Sequence, residues 1–202
     1  PKPASVTASD VTLEYGDPLG AAGFTATGLV APDAIGSVTM TLPGMGSTPD
    51  VGVYPGATPS NAVFSAGLSS NYIIAYYGGI LTVIPKEIVL YASRTYDATT
   101  TIDASMVGSV NGITLNGVTQ KLTLTGTGDL LDKSAGYSKP ITLGTLALGN
   151  GTNGELASNY TLVGGQAQHL QALGQVALAG GQVIGQAEAI HRRAGGGARA
   201  EV

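Results

Sequence analysis

Asn71-Tyr72-Ile73-Ile74-Ala75-Tyr76-Tyr77-Gly78-Gly79-Ile80-Leu81-Thr82-Val83-Ile84-Pro85 holds two β-branched and aromatic runs that meet at a glycine pair and end on a proline. Such side chains fit a pleated, half-buried surface, and Gly-Gly supplies the positive φ angles of a tight turn. The stretch therefore predicts a β-hairpin closed by Pro85. An echo follows at Ala157-Ser158-Asn159-Tyr160-Thr161-Leu162-Val163-Gly164-Gly165. Ser70-Asn71-Tyr72 and Ser158-Asn159-Tyr160 each close a unit, so the chain reads as two related modules in series. The expected fold class is mostly β. Two small tandem modules, residues 1–85 and 86–165, join end to end, with an irregular or partly helical tail over residues 166–202.

Outward from the hairpin, the chain keeps a strand-and-turn rhythm. Residues 6–13 alternate as a first strand and run into the turn chemistry of Gly16-Asp17-Pro18, and residues 24–30 form the next. Val38, Met40 and Leu42 share one face of a strand with threonines between them, and residues 51–54 make a short one. No segment before Pro85 carries a helical period. Lys86 opens the second unit directly after Pro85, with no Gly/Ser linker, which predicts limited bending between the modules. Pairs such as Ile113/Leu115, Leu122/Leu124 and Ile141/Leu143 continue the period of two. After Gly165 threonine disappears and Ala, Gln and Gly dominate, so the last strand is expected to lack its continuation.

Composition narrows the function classes. The 202 residues are 43% hydrophobic but only 11% charged, below the roughly 25% of an average soluble domain. A neutral Thr/Ser/Gly/Asn surface suits a secreted β-protein. A net charge of −4 without clustered Lys/Arg argues against nucleic acid. The chain has no cysteine, so disulfides and thiolate metal sites are excluded. The longest apolar run is broken at Gly78-Gly79 and falls short of the roughly 20 residues of a membrane span, so no membrane insertion is expected. No charged-then-apolar leader stands at Pro1, and the export signal is expected outside this segment.

Catalytic constellations are scarce. His169 and His191 both fall in the expected tail, which leaves the modules without a Ser-His-Asp or His-metal set. Carboxylates pair near turns: Glu14 with Asp17, Asp97 with Asp103, Asp129 with Asp132. Such pairs serve as acid and base or ligate calcium, but Asp in a turn commonly bonds its own backbone. Asp129 and Asp132 also lack the Asp/Asn/Gly alternation of a calcium loop. The glycine-rich run 149–154 has no Lys-Ser/Thr after it and reads as a loop, not a phosphate cradle. Tyr72, Tyr76 and Tyr77 are the candidate ligand-binding side chains, since stacked tyrosines can hold sugar rings. Core and cross-strand packing competes with that reading. Tyr15 and Tyr96, at matching turns, read as structural anchors.

Residues 11–85, with Tyr15-Gly16-Asp17-Pro18, Thr27-Gly28-Leu29-Val30, Gly52-Val53-Tyr54, Ser70-Asn71-Tyr72 and Gly79-Ile80-Leu81-Thr82-Val83, resemble an MBG domain of the Tyr-Gly-X type. Residues 93–165, with Tyr96-Asp97-Ala98-Thr99-Thr100, Gly112-Ile113, Gly136-Tyr137-Ser138-Lys139-Pro140-Ile141 and Ser158-Asn159-Tyr160, resemble a YDG domain. Ala98 departs from that pattern, which usually carries Gly there. The resemblance implies structural motif residues at Tyr15, Gly16, Asp17, Asn71, Tyr72, Tyr96, Asp97, Asn159 and Tyr160. It also implies tandem repeats of a large bacterial surface adhesin of the filamentous-haemagglutinin type, exported by two-partner secretion. On that reading the location is extracellular, neighbouring repeats of the same polypeptide are the partners, and no cofactor or catalytic residue is required. The expected function is a non-enzymatic stalk or spacer in adhesion or biofilm. The alternatives are a module binding polysaccharide or a host surface through its tyrosines, and a carboxylate-based glycoside hydrolase, which would need a cleft.

Overall fold

The computed structural model describes residues 1–42, 44, 46 and 48–170. Threonine, valine, isoleucine and tyrosine dominate the runs between turns, and those runs are strands, as the period-two patterning requires. Helix is limited to short 3-10 turns among the described residues, two of them at Ser69–Asn71 and Ala157–Asn159, immediately before the two Tyr positions of the repeated motif.

The first eight strands are β1 (Lys2–Ala8), β2 (Val11–Glu14), β3 (Phe24–Thr27), β4 (Ala34–Thr41), β5 (Gly52–Pro55), β6 (Thr58–Ala66), β7 (Tyr72–Tyr77) and β8 (Ile80–Ile84). They form three small sheets, ordered β3-β1-β7, β2-β8-β5 and β4-β6. The hairpin expected at Gly78-Gly79 does not form. β7 runs parallel to β1, with Lys2 opposite Tyr72, while β8 runs parallel to β2, with Val11 opposite Leu81. The two runs are consecutive lengths of one advancing chain that changes sheet at the glycines, and neither glycine adopts a positive φ. Close approach explains Gly79 instead: a Cβ there would lie 2.6 Å from the Ser9 carbonyl oxygen and 3.0 Å from that of Ala8. The expected first strand, residues 6–13, likewise breaks at Ser9-Asp10, beside this crossing. The Ile80 N–H donates to Asp10 Oδ1 at 2.8 Å and pins the two crossings together.

β9 (Lys86–Thr95) starts one residue after Pro85. It is followed by β10 (Thr101–Asp103), β11 (Val110–Leu115), β12 (Val118–Thr125), β13 (Thr127–Leu130), β14 (Gly136–Thr142), β15 (Ala147–Gly149) and β16 (Tyr160–Leu170). A five-stranded sheet has the order β10-β13-β14-β16-β9, and β11-β12-β15 form a second sheet. Residues 166–170, expected to begin the tail, are strand. β16 continues through them between β14 and β9, so the second module does have its closing strand. Ala167 and His169 point inward while Gln166 and Gln168 are exposed, so the polar composition disguised an ordinary alternation. The expectations for residues 171–202 lie outside the described residues.

The largest core joins both halves of the chain. Tyr15, Leu81 and Val83 from the first module pack in one buried cluster with Ile88, Leu90, Ile102, Leu122, Ile141 and Tyr160 from the second. Pro1–Leu170 is accordingly one compact unit. Val6, Ala4 and Ala8 on β1 are also buried, as is Ala57.

Candidate functional site at the module junction

The motif tyrosines converge where β8 passes into β9. β2 ends at Glu14, and the Tyr15 N–H donates to the Ile84 carbonyl at 2.9 Å, which sets Tyr15 at the end of the first module. Its ring meets that of Tyr160 edge-on, with centroids 5.4 Å apart and planes at 81°. That arrangement places the positive edge of one ring against the π face of the other. Both hydroxyls donate to a single acceptor, Gln120 Oε1, Tyr15 at 3.3 Å and Tyr160 more closely. The Tyr160 hydroxyl also accepts from the Ile113 N–H at 3.1 Å, and burial raises the pKa of this phenol. Gly16 is required beside it: at φ +96° a Cβ would stand 2.5 Å from Ile113 Cδ1.

Asn159 is a clasp across the same junction. Its Oδ1 accepts from the Val51 N–H at 2.9 Å, and its Nδ2 donates to Asp50 Oδ1 at 2.7 Å. The side chain is buried, so both halves of the amide need these partners. Lys86, the first residue of β9, pairs with Glu14, and the carboxylate raises the lysine pKa. The resemblance marked Tyr15, Gly16, Asn159 and Tyr160, and these four meet. Asp17 turns back on Glu14 through its backbone N–H at 3.0 Å. Gln120 and Asp50 carried no sequence signal, because no local pattern ties a lone Gln or Asp to a tyrosine or asparagine about forty or a hundred positions away.

The three candidate ligand-binding tyrosines do not form one surface. Tyr72 is buried, stacked on Phe64 at 5.5 Å, and its hydroxyl donates to Asp33 Oδ2 at 2.8 Å while accepting from the Val30 N–H at 3.0 Å. The Tyr76 hydroxyl accepts from the Ala62 N–H at 2.9 Å. Tyr77 is exposed on the strand's other side. Asn71, unlike its counterpart Asn159, is exposed.

The carboxylates are engaged locally. Asp97 accepts from the Thr99 N–H and hydroxyl at 3.0 and 2.8 Å and pairs with buried Arg94; the Thr99 bonds, then Arg94, lower its pKa. Asp129 accepts from Thr100 Oγ1 at 3.0 Å. Asp132 faces Lys139, a buried lysine that also donates to the carbonyls of Asp132 and Ser134 at 2.9 and 2.6 Å. That lysine, with the Ser134 N–H, holds the Asp132 pKa at about 2. Among the described residues no three His, Asp or Glu side chains are grouped to hold a metal ion. His169 is buried under the Tyr96 ring, centroids 5.1 Å apart, and neither ring nitrogen has a hydrogen-bond partner among the described residues. On the second module, an open groove of about 610 Å³ lies between β9, β16 and residues 105–108, lined by Tyr91, Ser93, Ser105, Ser138, Gln166 and Gln168 among others.

Comparison with known families agrees with this two-part build. Residues 4–82 match the family model of the MBG domain (YGX type), and residues 81–169 match that of the YDG domain. The comparisons with curated proteins and with solved structures give no match.

Proposed function

We propose that this chain, which carries an MBG domain of the YGX type followed by a YDG domain, is a non-enzymatic stalk segment of a secreted bacterial surface adhesin, serving adhesion or biofilm formation. The observation that supports the reading is the strand order at each module's ends. First and last lengths of chain lie side by side and parallel, β1 and β2 with β7 and β8 in the first module and β9 with β16 in the second. The chain therefore enters a module at one end and leaves at the other. Tension along the chain then shears a parallel ladder, loading its hydrogen bonds together instead of one at a time. The Glu14–Lys86 pair and the Asn159 clasp oppose bending at the joint.

Single-molecule pulling tests this. Force applied between residues 1 and 170 loads the ladders in shear. Force applied between Lys2 and Tyr72, which are register partners, peels β1 from β7. A stalk requires clearly higher unfolding force in the first geometry; equal forces would overturn the reading.

One observation favours a second reading, a glycan-binding module. The groove occurs on the second module, and Tyr91 stands exposed at it beside hydroxyl and amide side chains, the groups that stack on and bond to a sugar. Saturable binding of one glycan from a panel, in calcium or in chelator, lost in Tyr91→Ala and kept in Tyr77→Ala, would establish it. Absence of binding across the panel would leave the stalk.

A further inference from the structure

The two modules correspond residue by residue at their entry ends. Lys2 lies opposite Tyr72, and Lys86 lies opposite Tyr160. The Val30 N–H donates to the Tyr72 hydroxyl at 3.0 Å, and the Ile113 N–H donates to the Tyr160 hydroxyl at 3.1 Å. At the exit ends the Tyr15 N–H reaches the Ile84 carbonyl, and the Tyr96 N–H reaches that of Leu170. Lys2, Val30, Asn71 and Tyr72 thus hold the positions of Lys86, Ile113, Asn159 and Tyr160. In the second module all four contact the module before it: Lys86 meets Glu14, Ile113 abuts Gly16, Asn159 holds Asp50 and Val51, and Tyr160 meets Tyr15. In the first module Lys2 and Asn71 are exposed with no side-chain partner among the described residues, and Val30 is 52% and Leu68 66% exposed.

We propose that this entry face, Lys2, Val30, Leu68 and Asn71, is a docking surface for a further β-module, one whose exit end presents a carboxylate, a loop Asp followed by a free N–H, and a tyrosine edge, as Glu14, Asp50-Val51 and Tyr15 do here. The proposal rests on the stalk reading and names its partner. The exit end of the second module is not that partner. Thr95 occupies the position of Glu14, and Arg94 and His169 occupy those of Leu13 and Val83, so Lys2 would meet no acid there and the apolar pair is gone. The occupant is a module like the first one. Covalent continuity suits it, because Pro1-Lys2 repeats Pro85-Lys86, and a direct strand-to-strand joint supplies the high effective concentration that a small face needs.

The test extends the full chain by a second copy of residues 1–84 placed ahead of Pro1, which recreates the Ile84-Pro-Lys joint. Amide exchange of Val51 in the added copy reports the clasp. The expected result is protection of that amide, reduced about tenfold by Asn71→Ala at the new joint, while Asn71→Ala in the unextended chain leaves the urea midpoint unchanged. A charge swap, Lys2→Glu at the joint with Glu14→Lys in the added copy, should retain the protection that Lys2→Glu alone weakens. Protection indifferent to Asn71→Ala overturns the proposal. So does an added copy that stays unfolded, seen as no gain in β-sheet circular dichroism. Pulling on the unextended chain is unaffected by either result, so the stalk reading stands or falls separately.

Discussion

Ala98 carries a cost that its neighbours explain. It sits at φ 64°, in the left-handed region, within the turn where Asp97 accepts two bonds from Thr99. A Cβ is disfavoured there by roughly 1 kcal/mol, and glycine removes the clash at some cost in chain entropy. Ala98→Gly is therefore expected to stabilise the chain by about 0.5 kcal/mol, read as a higher urea midpoint; a lower one would show that the turn depends on the methyl group. Asp132 gives a pH dependence at the same scale. Its folded pKa of about 2 lies below the ~3.9 of an unfolded chain, so its contribution is complete above that value and is lost as pH falls toward 2. Asp132→Asn should flatten the fall in urea midpoint between roughly pH 4 and 2 and lower the midpoint at pH 7. An unchanged acid profile would mean that Lys139 is held by the Asp132 and Ser134 carbonyls alone.

At the scale of elements, the paired crossings at Ser9-Asp10 and Gly78-Gly79 decide how the first module is built. Both strands of the parallel pair change sheet together, and the space between them admits no side chain at Gly79. Gly79→Ala should cost about 1–3 kcal/mol, because the atoms it would strike are backbone oxygens that cannot rotate away. Gly20→Ala, which meets nothing within 4 Å, is the control and should shift the urea midpoint little. Equal effects at the two positions would refute the close-approach account. In the second module the corresponding pair stays in one sheet, with a register shift between Leu162 and Gly165. Gly165 there does the same work as Gly79: a Cβ on it would fall 2.3 Å from the Leu90 carbonyl oxygen.

For the whole molecule, the shared core makes the two modules stability partners. Asn159→Ala strands the Val51 N–H and removes the bond to Asp50, at a cost of about 1–3 kcal/mol for a buried unpaired group. Because Tyr15, Leu81 and Val83 lie in the same cluster as Tyr160 and Ile141, faster amide exchange should reach β2 and β8 as well as β16. Loss confined to β16 would show the modules to be independent.

Strand content and the doubled Asn-Tyr motif were legible in the chain alone, since β-branched alternation and repetition are local properties. Tyr72 and Tyr160 do open equivalent strands. No turn was expected at Asn116-Gly117, yet a tight hairpin forms there, with φ of 50° and 80° and Leu115 paired with Val118, although the Asn-Gly pair is itself a local turn signal. Gly78-Gly79 fits a turn and a straight crossing equally well, because a missing Cβ permits both. What settles it is Ser9, some seventy residues away, whose carbonyl lies against Gly79. The last strand was misread for a related reason: Gln and Ala alternate without apolar bulk, and only pairing with β9 and β14 shows that 166–170 have a buried face. Local patterning is enough to dictate that strands form and where the repeat falls. Which strands pair, in which direction, and that the tyrosines of two modules meet over one glutamine were decided by tertiary structure, because hydrogen-bond partners in a sheet are chosen across distances that no local pattern encodes.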